Sequence, residues 1–160
     1  MERLARPLIL AALLAVPAPA AAQRLLHAGA NWAAFERSGG VCEAVGRSEL
    51  QALSGRVQPR AAFAFARDRS RRGELHFLFA RPVRPGASAV LSVGQASFLL
   101  VTRGNSAWSR GPAQERAILA ALRGASEMRV RAAGVGGAIS DRYLLAGAPT
   151  AIDAAALGCA

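Results

Sequence analysis

The stretch AAFAFARDRSRRGELHFLFARP constrains the fold of this chain more than any other part of it. Phe63 and Phe65 stand two residues apart, and Leu75, Phe77 and Phe79 resume the same period after a break from Asp68 to Gly73. Apolar side chains at alternate positions share one side of an extended chain, so the spacing predicts two strands. The polar, glycine-ended break predicts the turn of an antiparallel hairpin. Its tip is crowded with Arg67, Arg69, Arg71 and Arg72.

Shorter signals on either side extend the pattern. NWAAFERSGGVCEAVGR predicts two extended segments around the turn Ser38, Gly39 and Gly40, with Trp32 and Phe35 as apolar anchors and Cys42 on the second segment. The stretch Glu49 to Pro59 is polar and interrupted by Gly55, and reads as a loop or a short helical turn. SAVLSVGQASFLLVTRG gives two more apolar runs pivoting on Gly94 and Gln95, a glycine-first pair suited to a type II′ turn. The period then changes. Pro112 suits a first helical turn, Ile118, Leu119 and Leu122 fall on one helical face, and Gly124 stands where a C-terminal cap belongs. A strand from Glu127 to Ala132, a turn at Gly134, Gly136 and Gly137, a strand in ISDRYLLAG and a short helix from Pro149 to Gly158 complete the chain. The N-terminal stretch containing His27 carries no such signal and reads as solvated. The expected fold is a β-rich α+β class: a small antiparallel β-sandwich or barrel-like domain with two short helices, formed by residues 23–160 as one globular domain.

The first residues, MERLARPLILAALLAVPAPAAAQ, place Arg3 and Arg6 before an apolar run from Leu8 to Val16 and small residues before Gln23. This is the pattern of a secretory signal peptide over residues 1–22, cleaved after Ala22. The run is about half of the roughly 20 residues a membrane-spanning helix needs, and Pro17 and Pro19 follow it directly, which disfavours an anchor. No later segment is long and apolar enough to cross a bilayer, so the expected location is periplasmic or secreted.

Cys42 and Cys159 are the only cysteines. Export takes them to an oxidising compartment, where an even count fits one intramolecular disulfide. Closing so long a loop stabilises the fold by roughly 4 to 5 kcal/mol on the chain-entropy model. Free thiols, an intermolecular bond and a metal site are the alternatives, although the two cysteines with His27 and His76 match no close zinc spacing. No cofactor or metal is expected.

All 20 basic residues are arginine, against 10 acids, for a formal net charge of +10. The absence of lysine excludes a P-loop and any Schiff-base chemistry. No G-x-S-x-G is present, and the glycines at 134, 136 and 137 lack the last glycine of a dinucleotide loop, whose place is taken by Ile139. His76 alternates with Phe77 and Phe79 along a strand, which suits a packed residue at the edge of the core better than a catalytic base. A nucleophilic pair of Cys42 and His76 requires Cys42 to stay reduced.

The leader, the NW followed some ten residues later by VCEA, the hydrophobic hairpins, ILAALRGASEMRV and the closing SDRYLLAGAPTAIDAA together resemble the invasion-associated locus B family of alphaproteobacterial secreted or periplasmic proteins. The resemblance implies an envelope location and a non-enzymatic role in host or cell-surface interaction, and it supplies no catalytic residues. Arg67, Arg69, Arg71 and Arg72 are then either a solvated hairpin end that discourages aggregation or an anion site, since guanidinium forks pair with phosphate or carboxylate. The matching partners are an envelope or host protein, anionic lipid or lipopolysaccharide. Specific nucleic-acid binding is not expected, because the basic tip lacks interleaved stacking aromatics. A secreted hydrolase whose site the sequence does not reveal is the alternative.

Overall fold

The computed structural model describes residues 23–160. The expected leader and its cleavage after Ala22 lie outside the described residues. Five strands come first: β1 (Arg24–Ala28), β2 (Trp32–Arg37), β3 (Val41–Arg47), β4 (Arg60–Ala66) and β5 (Arg72–Leu78). They are followed by β6 (Ala89–Val93), β7 (Ala96–Arg103), β8 (Ser106–Trp108), α1 (Pro112–Leu122), β9 (Glu127–Gly134), β10 (Gly137–Leu144) and α2 (Ala148–Gly158). The ten strands form one sheet in the order β1-β2-β3-β4-β5-β8-β7-β6-β9-β10, antiparallel throughout, so the expected β-rich α+β class is the observed one.

The sheet curls until β10 comes back towards β2, although β10 does not pair with β1. β7 is shared between its halves: Ala96 to Leu100 pairs with β6, whereas Val101 to Arg103 pairs with β8. Where β10 approaches β2 the Trp32 indole Nε1 donates to the Leu144 carbonyl at 2.8 Å, and across the core the Phe77 ring of β5 lies 5.5 Å from that of Tyr143. Trp32 lies across its cross-strand partner Gly46, where a Cβ would come within 2.5 Å of the indole. Only glycine leaves the ring that space.

Alternation decides what enters the core. Along β3, Cys42, Ala44 and Gly46 point in, while Glu43, Val45 and Arg47 point out. Leu75 and Phe77 of β5 and Phe63 of β4 are fully buried, as the period-two spacing requires. A bulge between Ala64 and Phe65 breaks that register, leaving Phe65 half-buried at the hairpin end. Gly94 has φ 56 while Gln95 keeps a negative φ, which suits the type II′ turn expected between β6 and β7.

Each helix packs one face on the core of the sheet and leaves the other exposed. Ile118 and Leu122 anchor α1, and the small residues Ala148, Ala151 and Ala155 let α2 lie close against β2 and β3. Ser109 joins α1 to the sheet: its Oγ accepts from the Leu75 N–H at 3.1 Å and donates to the Glu115 carboxylate at 3.1 Å. It satisfies a backbone donor just past the end of the β5–β8 ladder. Cys159, one residue beyond α2, is disulfide-bonded to Cys42, with the two Cα atoms 5.8 Å apart.

Two strands lie where the sequence showed none. β1 pairs with β2, placing His27 opposite Ala34, so the N-terminal stretch is anchored and His27 is half-buried, not solvated. β8, only three residues long, follows the two-residue turn at Gly104 and Asn105 and fills the gap between β5 and β7. Among the described residues no helix is long and apolar enough to cross a membrane.

Candidate functional site: an arginine-lined pocket

The turn from β4 to β5 is short and fully tied. The Ala66 N–H donates to the Arg71 carbonyl at 3.0 Å and the Arg69 N–H to the Ala66 carbonyl at 2.9 Å. One carboxylate oxygen of Asp68 accepts from the Ser70 hydroxyl at 2.7 Å and from the Ser70 N–H at 2.9 Å, which holds its carboxyl below the usual range. Arg69 has φ 61, the one left-handed residue other than glycine among the described residues. A side chain on a left-handed backbone costs energy that a glycine would avoid.

The strained turn places Arg67, Arg69, Arg71 and Arg72 around one open pocket of about 330 Å³, with Phe65 and the end of α2 at Cys159 on its walls. The Arg67 N–H donates to the Gly40 carbonyl at 3.1 Å, setting the tip against the β2–β3 turn. The disulfide fixes the chain terminus beside it. The four side chains are not equivalent. Arg67 pairs with Glu36 at 2.5 Å, a carboxylate that also holds Arg24 at 2.6 Å and is kept below its ordinary pKa first by the Arg24 hydrogen bond. Arg71 lies 3.5 Å from Glu74. Arg69 and Arg72 form no ion pair among the described residues. Arg72 donates its Nε–H to the Arg69 carbonyl at 3.3 Å, so among the described residues Arg69 alone of the four has an uncommitted guanidinium; the outer N–H groups of Arg72 and Arg69 can still take up a phosphate or a carboxylate.

His76 sits elsewhere. It lies on the outer surface of the sheet, opposite Ala62 and stacked on Trp108 with ring centroids 5.1 Å apart. Its Nε2 is buried without a hydrogen-bond partner among the described residues, and burial, with Arg60 nearby, pushes the imidazole pKa down. Cys42 faces the opposite side of the sheet with its sulfur bonded to Cys159, so the two do not form a nucleophilic pair. Gly134, Gly136 and Gly137 form the β9–β10 turn and lead into a strand, as a hairpin does. Among the described residues no group of three or more His, Cys, Asp or Glu side chains is arranged to hold a metal.

A second cleft, of about 410 Å³, lies at the other end of β4, where the Glu49–Pro59 loop approaches Arg81 and the β9–β10 turn. The half-buried Asp141 lines it; burial raises its carboxyl to about 6 against the opposing pull of Arg81, and its Oδ2 has no partner among the described residues. Sequence reading passed over this place. The available signal was the trio Leu50, Leu53 and Val57 in a loop otherwise polar.

No family model, no curated protein and no solved structure matches the chain. The class that fold and site define is therefore one of architecture: a disulfide-closed, β-rich α+β domain with an arginine-lined pocket at one end. Within that class the particular molecule is distinguished by Arg69 and Arg72, which form no ion pair among the described residues, beside its disulfide.

Proposed function

We propose that this protein is a non-enzymatic, exported domain of the cell envelope, periplasmic or secreted, similar to the invasion-associated locus B family, and that its arginine pocket holds anionic groups of an envelope ligand or partner. The observation that carries the reading is that four arginines line one pocket and that two of them, Arg69 and Arg72, form no ion pair among the described residues. The disulfide agrees with an oxidising compartment, and the leader sequence agrees with export. Overall positive charge alone attracts any polyanion, whereas bidentate geometry selects tetrahedral phosphate or planar carboxylate.

The test compares binding of lipopolysaccharide, of its dephosphorylated form and of envelope proteins captured by crosslinking. Reversal at Arg69, Arg71 and Arg72 to Glu is expected to weaken the specific ligand by about tenfold or more at physiological salt. Unchanged binding to every one of them would sink the proposal.

A further inference from the structure

The far end of β4 carries a different surface. Leu50, Leu53 and Val57 project from the Glu49–Pro59 loop at 65%, 80% and 47% exposure, and Val135 at the neighbouring β9–β10 turn is 53% exposed. Leu53 is the most exposed large apolar residue among those described. Leu50, Leu53 and Val135 all border the second cleft, between Arg56 and Arg81. Neither arginine forms an ion pair among the described residues, and Asp141 is the single carboxylate lining the cleft.

We propose that this apolar pole docks on the surface of an anionic phospholipid bilayer, with Leu50, Leu53 and Val135 entering the acyl boundary and Arg56 and Arg81 held at the headgroups. The placement matches what an interface between water and hydrocarbon selects. Aliphatic tips standing clear of the backbone enter one by one, and arginines snorkel beside them towards phosphate. Two other occupants fit less well. A second copy would bring the same arginines face to face on a chain of formal charge +10. A folded protein partner is ordinarily met by a flat patch with Trp or Tyr anchors, and this pole offers scattered aliphatic tips and no aromatic side chain in the cleft. The loop is built to hold the leucines out: the Gln58 amide accepts from the Ala52 N–H at 2.9 Å and donates to the Leu50 carbonyl at 3.2 Å.

The probe is a set of vesicles, pure phosphatidylcholine against phosphatidylcholine mixed with phosphatidylglycerol, in co-sedimentation at physiological salt. All variants are carried in the same full chain, so residues 1–22 contribute equally whether present or removed. Wild type is expected to favour the anionic vesicles by about tenfold or more. Leu50→Ser with Leu53→Ser should lower partitioning by about tenfold or more with an unchanged thermal midpoint, and Val135→Ser should lower it less. Arg116→Glu with Arg123→Glu, exposed at α1 and lining neither cleft, should leave most of the vesicle binding in place, and the leucine pair should leave phosphate binding at the arginine pocket unchanged; those outcomes keep this proposal separate from that pocket. Absence of vesicle binding, equal binding to neutral vesicles, or binding lost through the arginine pair and not the leucine pair would overturn it. So would a dimer in sedimentation that the leucine substitutions convert to monomer.

Discussion

The two ends of β4 are held in opposite ways. At the Ala66 end the chain reverses through a strained, tightly bonded turn, and a covalent bridge fixes the last residues beside it. At the Arg60 end it wanders through Glu49–Pro59 with no regular structure, kept in place by the Gln58 amide and by Arg142, which pairs with Glu49 at 2.9 Å. Seven residues of strand separate the two, about 23 Å at the usual rise. Concentrated like charge demands a stiff, over-determined frame, because the arginines repel one another and gain nothing by staying together. Exposed leucines need only an address, since hydrocarbon takes them without fixed geometry.

The largest way to break this contrast is to remove the staple. Cys42→Ser with Cys159→Ser is expected to cost about 4 kcal/mol in urea unfolding, and amide exchange should rise first around residues 67–72 and the end of α2. Equal loss of protection around residues 49–59 would show that the ends are not independently held. Gln58→Ala makes the reciprocal cut. It removes up to three side-chain hydrogen bonds from the loop and should cost about 1 to 2 kcal/mol, weakening vesicle binding while phosphate binding at the arginines is untouched.

Asp141 sharpens the contrast through pH. Its folded pKa stands at about 6 against an ordinary 3.8, so between those values the folded state holds a proton that the unfolded state has released. Stability therefore falls as pH rises through that window, and the full penalty is present above it. Asp141→Asn should stabilise the protein at neutral pH by on the order of 1 kcal/mol, after allowance for solvent screening of a side chain only partly buried, and should flatten this part of the stability profile. The smallest effect is expected at Arg69. Arg69→Gly relieves the left-handed backbone and should raise stability by about 0.5 to 1 kcal/mol while weakening anion binding. A fall in both would show that the arginine itself organises the turn.

How much the sequence disclosed depends on how locally each feature is encoded. The β4–β5 hairpin was legible because Phe63, Leu75 and Phe77 repeat at the period of a strand and Gly73 closes the break between them. The arginine cluster was legible for the same reason, its members being nearly contiguous. β1 was hidden because a bulge between Leu25 and His27 spoils its alternation, and β8 because three residues carry no period. The β5–β8 adjacency comes from pairing across the β6–β7 hairpin, which no local pattern records. The apolar pole was missed because it joins Leu50 and Leu53 to Val135 and Asp141, residues far apart in the chain. The cysteine pair was accessible only by count and compartment; its geometry depends on α2 lying against β3.

The contact that closes the sheet also governs the order of events during synthesis. Trp32 waits for the carbonyl of Leu144, 112 residues later, and Cys42 waits for a partner 117 residues later. A chain emerging N-terminus first holds an uncovered tryptophan and an unfinished sheet until Leu144 and then Cys159 are delivered. α2 and Cys159 thus act as the latch that ends that exposure.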